Sequence, residues 1–284
     1  ECAIENMNKG FTAVKFDPAG PYTAYSGHQI SLEVLERCET FCRKIREAVG
    51  DKCDLLFGTH GQMNAAGAIR LAKRLEPYDP LWFEEPVPPD APDEMAKVAR
   101  ATSIPIATGE RLTTKYDFAR LLRAGAAAIL QMNLGRVGGI LEAKKIAAMA
   151  EAYDVALAPH CPLGPVALAA CLQLDFVSHN AVLQEQSIGI HYNEGADLLD
   201  YVINKEDFAC DDSGSIAALA RWNSAQQMAN SSSGRLPSST FMPDGGSWSV
   251  TWAGSKPRAT SWSIALADTQ LTATTLATAI KAIR

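Results

Sequence analysis

Six polar residues recur along the chain at a nearly even interval: His60, Glu84, Glu110, Asn133, His160 and Glu185, separated by 24, 26, 23, 27 and 25 positions. Each stands at the end of a short apolar run, in CDLLFGTH, PLWFEE, IPIATGE, AAILQMN, VALAPH and AVLQE. Helix-sized stretches separate most of these runs. A strand-plus-helix unit repeated about every 25 residues points to a parallel (β/α) barrel of the TIM type, in which polar groups at the carboxyl ends of the strands gather at one mouth.

The remaining strand–helix units fall into the same rhythm. TAVKFD (12–17) reads as a strand, and the Gly-, Pro- and Tyr-rich segment 17–28 as a long loop above the mouth. Residues 29–49 place Ile30, Leu32, Leu35, Phe41, Ile45 and Val49 at helical spacing. Further helices are expected at about 65–76, 91–101, 114–123, 138–152 and 165–172. Seven strands are then visible where a closed barrel has eight, so residues 1–211 read as a barrel domain that starts after its first strand, with a short helix ended by Gly10. From Asp212 the character changes. Residues 212–284 place Ser or Thr at 21 of 73 positions and hold four of the five tryptophans. No strand–helix rhythm continues there, and a shift of reading frame near residue 211 would account for the change.

Composition narrows the partners. A net charge of −6 gives no electrostatic reason to bind nucleic acid or an anionic membrane. No apolar run reaches the roughly 20 residues that cross a bilayer. Seven cysteines without a C-x-x-C pair argue against a disulfide framework or a zinc knuckle, and a reducing cytoplasm is the expected compartment.

The chemistry is expected at the strand ends. Glu84 and Glu85 are adjacent in sequence, so strand alternation sends only one of them into the mouth. With Glu110 one strand later, two carboxylates make a hard-oxygen site suited to Mg²⁺; ordinary ion pairs with Arg111 or a lysine are the plainer alternative. His160, followed by the tight CPLGP loop, is a candidate general base, and His60, between glycines in GTHGQ, a second working histidine or a turn residue. Asn133 is placed to orient His160 by accepting a hydrogen bond from it. Glu185 closes the ring. Lys15 and Asp17 share a strand face and either bind a polar substrate or pair with each other.

These runs, and above all AAMAEAYDVALAPHCPLGPVALAACL and NAVLQEQSIGIHYNEGADLLDYVINKEDF, resemble the enolase superfamily in its mandelate racemase branch, most closely the D-galactonate dehydratases. The resemblance implies a (β/α) barrel with a capping domain, of which little is visible here, and homo-oligomers acting on a small sugar acid. It implies Mg²⁺ held from the positions of Gly58, Glu84 and Glu110, with Gly58 where the family has an Asp. It makes His160 the base and Asn133 the counterpart of an Asp partner. His60 becomes the acid that helps the 3-hydroxyl leave, and Glu185 a group near the developing enolate. The implied reaction yields a 2-keto-3-deoxy sugar acid. A racemase or epimerase, or a catalytically silent remnant, are the alternatives.

Overall fold

The computed structural model describes residues 2–8, 11–20, 29–186, 202, 208, 215–217 and 279–281. Its centre is a six-stranded, all-parallel sheet in sequential order: β1 (Ala13–Phe16), β2 (Asp54–Phe57), β3 (Trp82–Glu84), β4 (Ile106–Thr108), β5 (Ile129–Leu130) and β6 (Ala156–Leu157). Helices precede the sheet as α1 (Cys2–Asn8) and join its strands as α2 (Leu32–Val49), α3 (Ala65–Leu75), α4 (Pro92–Ala101), α5 (Lys115–Ala124), the short α6 (Leu134–Val137) and α7 (Ile140–Glu151). Helix α8 (Pro165–Phe176) follows β6. This is the strand–helix alternation of a (β/α) barrel, incomplete among the described residues. The backbone pair Ser215–Ala217 with Ala279–Lys281 is antiparallel. Gly10, most of the 17–28 loop and the body of the 212–284 tail lie outside the described residues.

The seventh expected strand, AVLQE, meets β6 in an isolated parallel bridge between Leu157 and Ala181. Leu157 N–H donates to the Asn180 carbonyl at 2.8 Å and Val182 N–H to the Leu157 carbonyl at 2.9 Å. The next donor on β6 would be residue 159, which is a proline and has no N–H. The side-chain amide of Gln184 instead donates to the Pro159 carbonyl at 3.1 Å. A side chain thus continues the contact where the ladder is interrupted.

Alternation along the strands divides the apolar residues into two cores. Ala13, Leu56, Trp82, Ala107, Ile129 and Ala158 pack together inside the curve of the sheet. Their strand neighbours, including Leu55, Phe57, Phe83, Ile106 and Leu130, face the helices. There Phe57 meets both Phe16 and Phe83 edge-to-face, with ring centroids 5.6 Å apart in each pair, an arrangement that the ring quadrupoles favour.

Local chemistry sets the helix ends. Ser31 and Asn64 cap α2 and α3 through their side chains, and Thr114 with Asp117 forms a reciprocal capping box on α5. Pro92 and Pro165 open α4 and α8 at the position where a missing N–H costs nothing. At the amino-terminal end of the barrel Arg46 donates to four carbonyls, those of Gly50, Cys53, Tyr78 and Asp79, at 2.7–3.0 Å. It ties the end of α2 to the start of β2 and the turn before β3.

Among the described residues no helix is long and apolar enough to cross a membrane, and the described cysteines Cys38, Cys42, Cys53, Cys161 and Cys171 are all buried and unbridged.

Phe83 is fully buried between strand and helices. Replacing it with Ala is expected to cost about 3–5 kcal/mol of stability, read as a fall in the urea midpoint. Val166→Ala, at a position 85% exposed, should leave the midpoint nearly unchanged.

Candidate active site

The residues directly above the inner core form the mouth. Two positions beyond Ala13 and Trp82, on the same face, come Lys15 and Glu84. Backbone hydrogen bonds hold the chain in register past the formal strand ends: Gly58 to Phe16 at 2.9 Å, Gln131 to Thr108 at 2.8 Å and His160 to Met132 at 3.2 Å. The candidate side chains therefore project from rigid backbone.

Three hydrogen-bonded groups gather there. In the first, the Lys15 ammonium lies between two carboxylates, 2.7 Å from Glu84 Oε1 and 2.8 Å from Glu185 Oε1. The second oxygen of Glu84 accepts from the Trp82 indole at 3.2 Å, and that of Glu185 from the Cys161 backbone N–H at 2.9 Å. Burial alone would lower the pKa of Lys15, but Glu84 and then Glu185 outweigh it and raise it. Burial raises that of Glu84, with Lys15 pulling against it. Lys15 and Asp17 do not pair with each other; Lys15 serves the two glutamates and Asp17 serves His60.

In the second group His160 Nε2 lies 3.1 Å from Glu110 Oε2, and His160 Nδ1 lies 3.0 Å from the side-chain amide nitrogen of Asn133. Asn133 is the N-cap of α6: its Oδ1 accepts from the N–H groups of Gly135 and Arg136 at 3.0 and 3.3 Å. Those two donors settle which end of the amide is oxygen. Asn133 thus donates to the imidazole, where the sequence led us to expect an acceptor. An Nδ1 that accepts carries no proton, so the neutral ring holds its proton on Nε2, facing Glu110. Although burial works the other way, the hydrogen bond from His160, helped by the nearby Lys15 ammonium, draws Glu110 down to about 2.

In the third group His60 Nδ1 meets Asp17 Oδ2 at 3.1 Å, while Asp17 Oδ1 accepts the Ala19 N–H at 3.0 Å. His60 is fixed further by its backbone. Its N–H donates to Gln62 Oε1 at 2.6 Å and its carbonyl accepts from Arg111 at 2.8 Å.

The tandem glutamates divide as alternation requires. Glu84 enters the mouth, whereas Glu85, at φ 40°, turns away and binds the Arg111 guanidinium at 2.8 Å. Arg111 therefore bridges the ends of β3 and β4 to the His60 loop. Trp82 and Gln131, a further hydrogen-bond partner of Glu84, escaped the sequence reading; each stands two positions before a residue that was singled out, and period two would have found them.

The donor chemistry suits a divalent cation, since Glu84 and Glu110 offer hard oxygen from adjacent strand ends. Among the described residues, however, no group of three or more His, Cys, Asp or Glu side chains is arranged as a ready ion site. Gly58 contributes no side-chain donor, although a Cβ there would meet nothing closer than the Phe16 carbonyl at 3.4 Å and Lys15 Cε at 3.5 Å.

Burial pushes the Glu85 carboxyl up from 4.5 to about 8 against the pull of Arg111. Between those values the folded state holds a proton that the unfolded chain has lost, so this group's contribution to stability falls as pH rises through that window. Urea midpoints taken across it should decline with pH, and the decline should flatten in Glu85→Gln. An equally steep decline in the variant would assign the effect to another group.

The chain can now be set beside known proteins. Residues 1–219 match the family model described as enolase C-terminal domain-like. The D-galactonate dehydratase of Xanthomonas euvesicatoria is 59% identical over 178 residues, 63% of this chain and 46% of that protein. The D-galactonate dehydratase of Pectobacterium atrosepticum is 59% identical over 169 residues, 60% of this chain and 44% of that protein. Among solved structures, a mandelate racemase/muconate lactonizing enzyme from Sulfitobacter sp. superimposes with a TM-score of 0.68 at 52% identity, covering 74% of this chain and 51% of that one. A mandelate racemase/muconate lactonizing enzyme-like protein from Roseovarius sp. gives 0.64 at 59% identity, covering 66% and 47%. The chain spans a little under half the length of the curated relatives it matches. With a parallel strand–helix sheet, polar residues at its strand ends and a family match over most of its length, the chain belongs to the enolase C-terminal domain-like family.

Proposed function

We propose that this chain is the barrel portion of a Mg²⁺-dependent acid-sugar dehydratase of the D-galactonate type. The observation that carries the reading is a pair of strand-end histidines, each held by its own partner. His160 is held by Asn133 and meets Glu110 at 3.1 Å, and His60 is held by Asp17. The two D-galactonate dehydratases supply the substrate class.

Elimination needs a base for the proton next to the substrate carboxylate and an acid for the departing 3-hydroxyl. His160, neutral, takes the proton. His60 gives one to the hydroxyl, which leaves as water, and the resulting enol becomes the 2-keto-3-deoxy acid. Glu84 and Glu110 would hold Mg²⁺, which when bound supplies the positive charge that steadies a substrate carboxylate as its α-proton is lost. Lys15 and Glu185 lie at the same mouth to position the acid. Acting as a homo-oligomer belongs to the same proposal, and light scattering of the purified chain would test it.

Asn133 has a consequence for the base. A histidine that takes a proton on Nε2 must first carry its own on Nδ1, and there it would face the Asn133 amide, donor against donor. Asn133 therefore holds His160 in the tautomer that serves proton abstraction worst. An Asp at this position would cap α6 through one oxygen and accept the Nδ1 proton through the other.

The same two histidines would serve a racemase or epimerase if the bound acid lacked a 3-hydroxyl. Product analysis separates the two, because only elimination makes a keto-deoxy acid.

Sugar acids incubated with the chain and Mg²⁺ should yield 2-keto-3-deoxy product, and His160→Ala should abolish it. Asn133→Asp should raise kcat by about tenfold or more, toward the roughly 10⁴-fold effect that the reverse change has in a serine protease triad. Product formation that survives His160→Ala would remove His160 from the role of base. Folded chain that turns over no sugar acid, with or without Asn133→Asp, would sink the dehydratase reading.

A further inference from the structure

Beyond positioning the acid, Lys15 stands out at the mouth because its ammonium is already held by two carboxylates. Its ammonium makes two contacts shorter than 3 Å, to Glu84 at the end of β3 and to Glu185 beyond β6. Glu84 is fully buried, while Lys15 keeps 26% of its side chain exposed. A buried carboxylate requires a positive neighbour, and in this structure Lys15 supplies it. Among the described residues no second Lys or Arg pairs with Glu84: Arg111 is committed to Glu85 and to the His60 carbonyl.

We propose that Lys15 is the built-in counter-cation of the mouth and competes with a divalent ion for Glu84, so that metal binds only as Lys15 withdraws. The inference rests on the reading that Glu84 and Glu110 take the metal. Three observations carry it. Both Glu84 oxygens are occupied, one by Lys15 and the other by Trp82. Gly58, where a Cβ would lie 3.5 Å from Lys15 Cε, carries no side-chain donor, so no carboxylate at that position helps a metal to displace the ammonium. And Lys15 has somewhere to go, because Glu185 can keep the ammonium after Glu84 has released it. Two cations at one buried carboxylate repel each other strongly at short range, so occupancy by one weakens the other. Selectivity follows as well. A strongly charged ion displaces an ammonium from a carboxylate more readily than a monovalent one does, so the device passes divalent cations and holds off K⁺ and Na⁺.

The test is Mn²⁺ binding, followed by electron paramagnetic resonance, to the wild-type chain, Lys15→Met, Lys15→Arg and Glu84→Gln. Removing the charge should tighten Mn²⁺ by about tenfold or more, a difference of about 1.4 kcal/mol. Lys15→Arg, which keeps the charge, should stay close to wild type, and Glu84→Gln should bind least. Equal or weaker binding by Lys15→Met would overturn the proposal while leaving the metal site intact. Absence of Mn²⁺ binding at millimolar metal in both wild type and Lys15→Met would overturn the metal-site reading together with it. Tighter binding by Lys15→Met without any keto-deoxy product from wild type would uphold the competition and count only against the dehydratase. Should Lys15→Met fail to fold without metal, the wild-type chain decides the matter. Acetylation of Lys15 by a water-soluble reagent, read by peptide mass, should increase when Mn²⁺ is added and stay unchanged with K⁺. Labelling that ignores saturating Mn²⁺ would refute the displacement.

Discussion

A single ammonium group makes the polar mouth of this barrel possible. Glu84 is fully buried above an apolar inner core that contains Trp82, Leu56 and Ile129, a place where a lone carboxylate is strongly disfavoured. Lys15 offsets that burial and at the same time draws in Glu185 from the far side of the sheet. Glu185 in turn accepts the backbone N–H of Cys161, which fixes the loop immediately after His160. The position of the candidate base thus depends, through two hydrogen bonds, on a lysine from the first described strand. In buried pairs of this kind the loss of one partner costs about 3–5 kcal/mol, so the arrangement is held together as a unit.

Much of the architecture was legible in the sequence because it depends on periodicities. The interval of about 25 residues between strand ends is a property of the strand–helix unit, and period-two alternation places Glu84 inward and Leu55 and Phe57 outward without any knowledge of contacts. The helix ranges came within a few residues for the same reason. The seventh strand was not legible as a bridge, because its fate turns on one missing N–H at Pro159, in a different segment. The partners within the mouth were equally out of reach. That Lys15 would choose Glu84 and Glu185 over Asp17, or that Asn133 would turn its oxygen to α6 and its nitrogen to His160, depends on where neighbouring strands bring their groups.

The mouth also shows how one residue can be held to two obligations. Asn133 completes the first turn of α6 and faces an imidazole, and the first duty decides the second: an oxygen bound by two backbone donors leaves only the nitrogen for the histidine. Glu85 is comparable. Its left-handed backbone conformation is unusual for a residue with a side chain, yet it sends the second of two adjacent carboxylates away from the first. Strand alternation already turns Glu85 from Lys15, and the left-handed turn sets where it goes instead. With it, Glu85 anchors Arg111, and Arg111 anchors the His60 loop.

At the opposite end of the barrel Arg46 grips four backbone carbonyls rather than any carboxylate. Carbonyls do not titrate, and an arginine stays charged across the whole range in which proteins fold. The Arg46 clamp is therefore indifferent to proton concentration, whereas Lys15, Glu84, Glu110, Glu185 and the two histidines at the open end are all ionisable groups. A fold divided in this way can have the ionisation of its mouth rewritten, one side chain at a time, while the opposite pole keeps the same scaffold in place. The freedom to acquire new chemistry at one rim is in this sense a property of the other.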